Sequence, residues 1–216
     1  MAHELGHWHG QFEEDRVLRE ILGPENPGFY IDIGACEPVH DSITIHFYES
    51  GWHGINVEPV PFLADTIRKE RPRDTTVSCA VSDVDETRIF NCILGTQLST
   101  FHEVNFRNLS IDRETMQFPV KCLTLAQLCQ MHVSRDQRID FLKIDVENWE
   151  RQVLAGADWQ TYRPRVLLIE AAVPCTGFPN WEEWEHLVLE AEYDFLRTDD
   201  FNRFYVDRHN VPIGGS

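Results

Sequence analysis

The fold of this 216-residue chain is decided by the stretch Phe29-Tyr30-Ile31-Asp32-Ile33-Gly34-Ala35. This short run of aromatic and β-branched residues ends in an acid and a glycine, which is typical of a buried parallel strand followed by a tight turn. A second run of the same kind follows further along the chain, Gly54-Ile55-Asn56-Val57-Glu58-Pro59, and its strand also ends in an acid. We predict two parallel strands whose turns meet at one edge of a sheet.

These two turns predict a site for a cofactor that contains adenosine. A glycine after the first strand lets the backbone approach a ligand, and an acid after the second accepts hydrogen bonds from ribose hydroxyls. The turn Gly34-Ala35-Cys36-Glu37-Pro38 lacks the G-x-G-x-x-G pattern that holds a pyrophosphate at a helix N-terminus. S-adenosylmethionine, which has a ribose but no phosphate, therefore fits better than a dinucleotide. The residues predicted to bind it here are Asp32, Gly34, Ala35, Glu58 and Pro59.

Composition narrows the class of partner. The chain has 19 Lys and Arg against 36 Asp and Glu, a formal net charge of −17, which repels nucleic-acid phosphates and anionic membranes. No apolar run approaches the length of a membrane span, and no basic and apolar signal peptide opens the chain. The six cysteines form no C-x-x-C pair, which favours reduced thiols. We expect a cytoplasmic protein without a membrane span or a nucleic-acid partner.

The first residues contain a motif with a different implication. His3-Glu4-Leu5-Gly6-His7 matches the H-E-x-x-H pattern of zinc peptidases. Those histidines need a helix packed beneath a sheet, but two glycines and a Trp-His pair make residues 5–10 a poor helix, and only Met1 and Ala2 precede the motif. We expect residues 1–10 to form an N-terminal arm without peptidase activity, and residues 11–216 to form a single domain.

Strand patterns alternate with helical patterns along the rest of the chain. Further strands are predicted at 75–81, 88–94, 117–122, 138–146 and 165–170, with an antiparallel pair at 193–197 and 202–206. The connection 95–115 is long and polar, which suggests a lid or an extra element. Together these patterns predict an α/β fold with a mostly parallel, doubly wound sheet that ends in an antiparallel hairpin.

Acids are predicted along one edge of this sheet, because parallel strands end at the same edge and ligands bind there. Ser82 and Asp83 follow the strand predicted at 75–81 and are expected to bind the cofactor. Asp145 and Glu147 lie at the end of the strand predicted at 138–146, and Glu170 ends the strand predicted at 165–170. A row of acids is costly unless positive charge lies among them. A sulfonium cofactor supplies some positive charge, and a divalent cation would supply more. Alternatively, each acid caps a helix or faces water.

Several segments together resemble the FkbM family of S-adenosylmethionine-dependent methyltransferases. The most specific segment is Phe141-Leu142-Lys143-Ile144-Asp145-Val146-Glu147, which accompanies the two strands quoted above. The other matching segments are Gln11-Phe12-Glu13-Glu14-Asp15, Leu98-Ser99-Thr100, Val153-Leu154-Ala155-Gly156, Arg163-Pro164 and Asn202-Arg203-Phe204-Tyr205-Val206. The pattern departs from the family at Asn148-Trp149, where the family usually has Gly-Ala. This resemblance implies a Rossmann-like class I methyltransferase fold.

The resemblance also implies methyl transfer from S-adenosylmethionine to an oxygen, with a sugar hydroxyl of a glycan or glycosylated metabolite as the expected acceptor. A hydroxyl is a weak nucleophile and needs a base or a metal. We expect Asp145, which would also contact the cofactor, and Glu147 to orient the acceptor or take its proton, with His102 as a further candidate base. Asp145 and Glu170 could instead bind Mg²⁺ through oxygen. A fused or associated glycosyltransferase is a further expected partner.

Three other classes of protein fit parts of the sequence. A nucleotide-dependent oxidoreductase would use the same strands, but the missing glycines weigh against it. A zinc peptidase would need a scaffold that the start of the chain lacks. A non-catalytic glycan-binding Rossmann-like domain is disfavoured by the acids crowded at the strand edge.

Overall fold

The computed structural model describes residues 8–23 and 27–209. In these ranges the strands form two sheets, one of seven strands and one of three. The strands of the large sheet are β1 (Phe29–Ile33), β2 (His53–Val57), β3 (Thr75–Val77), β7 (Phe141–Ile144), β8 (Val166–Glu170), β9 (Tyr193–Thr198) and β10 (Asn202–Asp207). The small sheet contains β4 (Ala80–Ser82), β5 (Glu86–Ile93) and β6 (Thr115–Thr124).

The large sheet has the strand order β3-β2-β1-β7-β8-β10-β9. Its first five strands run parallel, and β10 is antiparallel to both of its neighbours. The strand order reverses between β1 and β7, so the turns after these two strands flank the crevice where such sheets bind ligands. The mostly parallel sheet with a terminal antiparallel hairpin is as predicted.

Helices cover both faces of this sheet. Successive side chains of β1 point to opposite faces, and those on each face pack against helices. On one face Ile31 packs with Leu128, and on the other Tyr30 packs with Leu18 and Phe47. All five residues of β1, including Asp32, are buried, so neither face of the strand is exposed to solvent. The helices of the described ranges are α1 (Glu14–Leu22), α2 (Ile43–Glu49), α3 (Pro61–Glu70), α4 (Glu103–Leu109), α5 (Leu125–His132), α6 (Glu150–Ala155) and α7 (Glu185–Glu190), with a 3₁₀ turn at Trp181–Glu183. The predicted doubly wound α/β fold is confirmed.

The chain after β3 differs from the prediction. The single strand predicted over 75–81 is two short strands, because the chain leaves the large sheet after Val77 and then pairs Ala80–Ser82 with β6. No glycine or proline marks this change of sheet, so the hydrophobic pattern continues through it. The connection predicted at 95–115 does contain an extra element, helix α4.

Residues 8–10, at the end of the predicted N-terminal arm, lie against the helices. The ring of Trp8 is 4.5 Å from that of His46, and the backbone N–H of His9 donates to Asp15 at 2.7 Å. The motif His3-Glu4-Leu5-Gly6-His7 lies outside the described residues, and the division into an arm and one domain stays a prediction.

The cysteines and the helices of the described ranges bear on two further predictions, reduced thiols and no membrane span. All six cysteines are free thiols. None of the described helices combines the length and the apolar character that crossing a bilayer requires.

Candidate active site

A cleft opens at the carboxyl-terminal edge of the large sheet, between the turns after β1, β2 and β7 and the small sheet. It holds about 900 Å³ of space, part of it open to solvent, which is within the usual range for small-molecule sites. Seven residues predicted to bind the cofactor or to act in catalysis line it: Asp32, Gly34, Ala35, Glu58, Pro59, Asp145 and Glu147. The structure therefore brings these predicted residues together.

Ser82 and Asp83 are not part of this lining. Ser82 is buried in the small sheet, where its hydroxyl accepts a hydrogen bond from the indole N–H of Trp149 at 3.3 Å. The cleft is instead lined by the residues just before them, Cys79, Ala80 and Val81. The displacement follows from the change of sheet after β3.

His102 also lies outside the cleft lining. It precedes helix α4 as its N-cap, and its Nδ1 accepts a hydrogen bond from the backbone N–H of Asn105 at 3.2 Å. One ring nitrogen is therefore engaged in capping, which gives the residue a structural task.

Gly34 lets the first strand approach the end of β7. Its φ is +84°, in the region that favours glycine, and a Cβ built there would lie 1.8 Å from the carbonyl oxygen of Asp145. The backbone N–H groups of Gly34 and Ala35 both donate to the carbonyl of Val57, at 3.0 and 3.1 Å. One glycine thus ties together the ends of three neighbouring strands and brings Asp145 beside the turn.

Glu58 follows β2 and is 4% exposed. One carboxylate oxygen accepts from the backbone N–H of Cys36 at 2.9 Å, and the other from that of Val60 at 2.8 Å. Burial raises the pKa of Glu58 to about 7 in spite of these donors. Each oxygen keeps a second lone pair that a ribose hydroxyl can use.

Lys143 of β7 is a cleft residue that the sequence argument did not assign. Its ammonium nitrogen donates to the carbonyl of Gly34 at 2.9 Å and lies 3.2 Å from Asp32 and 3.4 Å from Asp145. Burial opposes the charged form, but the two carboxylates raise the pKa of Lys143 above its ordinary value. A lysine inside an otherwise apolar strand is the signal that identifies it.

The loop between β1 and α2 is held by Arg71, which is 1% exposed. The guanidinium donates to the carbonyl of Pro38 at 2.9 Å, to the Thr44 hydroxyl at 2.7 Å and to the Ser42 hydroxyl. The Thr44 hydroxyl in turn donates to Asp32 at 2.8 Å. Arg71 therefore fixes the loop wall of the cleft and, through Thr44, the orientation of Asp32.

Asp145, Glu147 and Glu170 meet on the other side of the cleft, although Glu170 does not line it. One carboxylate oxygen from each lies within 4.8 Å of one from each of the others. Burial, reinforced by the charge of Asp145, raises the pKa of both Glu147 and Glu170 well above the ordinary value. Within the described ranges, the Oε2 atoms of Glu147 and Glu170 are buried without a hydrogen-bond partner.

The turn that carries Glu147 has a left-handed backbone. Glu147 and Asn148 have φ of 56° and 76°, a region that asparagine tolerates better than most residues. The turn is held by Glu150, whose carboxylate accepts from the N–H groups of Val146 and Asn148 at 3.2 Å each. This conformation explains how asparagine can stand where the FkbM pattern usually has glycine.

Trp149, the second departure from that pattern, is part of the cleft wall. Its ring centroid lies 5.4 Å from that of Phe101, which also lines the cleft. The guanidinium of Arg88 lies over the indole at 4.8 Å from the ring centroid. An aromatic wall therefore faces the space beside Asp145 and Glu147.

The comparison with known families agrees with this site. The family model described as the methyltransferase FkbM domain matches residues 32–202, a range that begins at Asp32 and includes the turns after β2 and β7. The chain belongs to the FkbM methyltransferase family. The protein is therefore a methyltransferase that uses S-adenosylmethionine, as predicted. No curated protein matches the chain.

Solved structures of other methyltransferases resemble the chain at low identity. An O-methyltransferase from Bacillus cereus, in complex with SAH, is 14% identical with a TM-score of 0.49, over 94% of this chain and 84% of that one. The C-terminal domain of precorrin-6Y C5,15-methyltransferase from Rhodobacter capsulatus is 13% identical with a TM-score of 0.48, over 93% and 92% of the two chains.

Proposed function

We propose that this FkbM methyltransferase transfers the methyl group to a hydroxyl oxygen, and that the acceptor is a sugar hydroxyl of a glycan or glycosylated metabolite. The observation that carries the proposal is that Asp145 and Glu147 line the same cleft as Gly34 and Glu58. A hydroxyl needs a proton acceptor beside the methyl donor, because it is a weak nucleophile until its proton is removed.

The cofactor is assigned to the side of the cleft formed after β1 and β2. Glu58 has lone pairs available for the ribose hydroxyls, and Pro59 and Ala35 line the cleft next to it. Ala80 and Val81 take the place proposed from the sequence for Ser82 and Asp83. Asp32 and Asp145, both paired with Lys143, remain candidates for the sulfonium end of the cofactor.

In the proposed reaction the acceptor oxygen attacks the methyl carbon, the carbon–sulfur bond breaks, and S-adenosylhomocysteine leaves. The hydroxyl proton passes to the carboxylate of Glu147, because burial raises the pKa of this carboxyl well above its ordinary value and so makes it a stronger base. Asp145, which is 38% exposed in its side chain, orients the acceptor. His102 has no part in this proposal, because it caps α4 and lies outside the cleft lining.

The location of the protein, the exclusion of nucleic acid, a metal ion and a glycosyltransferase partner are further proposals, each with its own support. The free thiols favour a reducing, cytoplasmic location. The net charge of −17 disfavours a nucleic-acid acceptor. Mg²⁺ at Asp145 and Glu170 would assist by making a bound hydroxyl more acidic, and a fused or associated glycosyltransferase would supply the glycosylated acceptor.

The test is to incubate the protein with S-adenosylmethionine labelled with ¹³C in its methyl group and a panel of glycosides and glycans. Mass spectrometry and NMR of the products should detect a labelled methyl ether, together with one S-adenosylhomocysteine per methyl group. Glu147→Gln should lower this yield while it retains S-adenosylhomocysteine binding in calorimetry. Label found only on nitrogen or carbon would overturn the oxygen assignment. Binding of NAD in place of S-adenosylmethionine would favour the oxidoreductase alternative.

A further inference from the structure

The three carboxylates after β7 and β8 are unusual because they approach one another without a partner that balances them all. One oxygen of each of Asp145, Glu147 and Glu170 lies within 4.8 Å of one oxygen of the other two. Glu147 is only 9% exposed, and its Oε2 is buried with no hydrogen-bond partner among the described residues. A buried acceptor of this kind normally has a partner, so its lack of one within the protein indicates a missing ligand.

The nearest positive charge is already engaged elsewhere. Lys143 lies 3.4 Å from Asp145, but its ammonium nitrogen also donates to the carbonyl of Gly34 and forms an ion pair with Asp32 at 3.2 Å. In the described ranges, neither Glu147 nor Glu170 forms an ion pair with a lysine, arginine or histidine. Of the three carboxylates, only Asp145 contacts an ammonium group of the described residues, that of Lys143. Negative charge is therefore in excess at a largely buried position, which is costly without a counter-ion.

We propose that Asp145, Glu147 and Glu170 bind one divalent cation of the Mg²⁺ or Ca²⁺ type. Hard cations take carboxylate oxygens at about 2.0–2.6 Å, so two oxygens on opposite sides of the ion lie about 4–5 Å apart. The separations of up to 4.8 Å fit this range. The site includes Glu147, a third ligand beyond the pair Asp145 and Glu170 that the strand ends predict.

The backbone around Glu147 is consistent with a site that is formed before the ion binds. Its left-handed φ of 56° is strained for a glutamate. The Thr100 hydroxyl donates to its carbonyl at 2.7 Å, and the Asn180 amide donates to the neighbouring Asn148 side chain at 2.8 Å. These contacts hold the strained turn and so keep the Glu147 side chain directed toward the other two carboxylates.

Binding of the cation stands on these contacts alone, whereas its role toward an acceptor hydroxyl rests on the proposed function. A cation beside the acceptor would stabilise the alkoxide that forms as the proton leaves. Each carboxylate needs only one oxygen for the ion, so the second oxygen of Glu147 is still able to accept the proton.

The proposal is tested by titrating the purified protein with MgCl₂, CaCl₂ and MnCl₂ in calorimetry, and with Mn²⁺ in electron paramagnetic resonance, without methyl donor or acceptor. The wild type should bind one ion, and Glu170→Gln should weaken binding at least tenfold. Asp83→Asn, which removes an exposed carboxylate outside the cleft, is the control and should bind as the wild type does.

Thermal unfolding separates loss of the site from loss of the fold. Without cation, Glu170→Gln should melt at or above the wild-type temperature, because one repulsive charge is gone. Saturating MgCl₂ should raise the melting temperature of the wild type and of Asp83→Asn but not that of Glu170→Gln. A wild type that binds no cation, or a Glu170→Gln protein that binds with unchanged affinity, would overturn the site.

These measurements keep the cation site distinct from the proposed reaction. A protein that binds the ion but methylates no hydroxyl would support the site and contradict the proposed function. Methyl transfer to a hydroxyl by a protein that binds none of the three cations would support the function and overturn the site.

Discussion

The acidic residues on the two sides of the cleft differ in whether the protein provides partners for their carboxylate oxygens. After β1 and β2, Asp32 pairs with Lys143 and Glu58 accepts two backbone N–H groups. At the ends of β7 and β8, Glu147 and Glu170 each keep a buried oxygen that has neither a hydrogen bond nor an ion pair in the described ranges. A buried polar group that has a hydrogen-bond partner stabilises the fold, whereas one without a partner lowers stability. A buried group without a partner is therefore expected where it binds a ligand.

This difference predicts opposite outcomes for substitutions on the two sides. On the paired side, loss of a contact should lower the free energy of unfolding, because a buried partner is left without its hydrogen bond. On the unpaired side, loss of a carboxylate charge should leave the fold intact but lower activity. Active-site residues often lower the stability of the fold and are retained because activity requires them.

Asp145→Asn should give the largest effect, and it should be on turnover. The substitution keeps the shape of the side chain but removes the charge that orients the acceptor, so kcat should fall by about 10²-fold or more. Because the contact matters most in the transition state, the affinity for S-adenosylhomocysteine should change far less. Steady-state kinetics and calorimetry measure the two quantities.

The companion change Glu147→Gln identifies the carboxylate that takes the proton, and Asp83→Asn serves as the exposed control. If Asp145→Asn and Glu147→Gln both keep near-wild-type kcat, the reaction centre lies elsewhere at this sheet edge. His102 would then be the next residue to replace, since its second ring nitrogen is not used in capping α4.

Arg71→Lys removes hydrogen bonds on the paired side of the cleft and should lower the stability of the fold. Lysine keeps the charge but lacks the planar fork, so it cannot serve Pro38, Ser42 and Thr44 together. Leaving one or two of these buried acceptors unpaired should lower the free energy of unfolding by about 2 kcal/mol. Urea unfolding measures this change. An unchanged midpoint would mean that the loop wall of the cleft does not depend on Arg71.

The strands that flank the cleft could be predicted because their information is local. A strand buried on both faces is a mostly apolar run; β1 is such a run that ends in Asp32–Gly34, and β7, apolar apart from Lys143, is followed by Asp145. The meeting of Gly34, Glu58 and Asp145 then follows from the rule that parallel strands end at one edge.

The remaining features depend on contacts between distant parts of the chain. The change of sheet before Ala80 has no turn residue to mark it, so the sequence pattern does not reveal that Ser82 and Asp83 lie outside the cleft lining. Arg71 reaches the carbonyl of Pro38 from the end of α3, and no local pattern announces that contact. The missing partner of Glu147 is also visible only when its surroundings are known.

Glu58→Ala tests whether an acid on the paired side also binds the ligand. If Glu58 holds the ribose, the substitution removes two charge-assisted hydrogen bonds, worth about 2–4 kcal/mol together. The affinity for S-adenosylhomocysteine should weaken at least tenfold in titration calorimetry. Melting temperatures measured in parallel report the loss of the bonds to Cys36 and Val60. Unchanged affinity would remove Glu58 from the cofactor site.

The smallest expected effect is on the pH dependence of stability, which can be measured without any ligand. The pKa values of Glu58, Glu147 and Glu170 are all raised, that of Glu58 to about 7. The folded state therefore binds protons more tightly than the unfolded state, in which glutamate has a pKa of about 4.3. The stabilisation is complete below that value and is lost as the pH rises through the folded pKa values.

The melting temperature without cation should therefore fall by a few degrees between about pH 5 and pH 8. Glu170→Gln should fall less steeply, because it lacks one of the buried groups that must lose a proton. Arg71→Lys should melt lower at every pH but keep the wild-type slope, since it leaves the three glutamates in place. Equal slopes in the wild type and Glu170→Gln would mean that Glu170 gives up its proton in the folded state as easily as in the unfolded state. Its carboxylate would then have the counter-charge within the protein that the contacts around it lack.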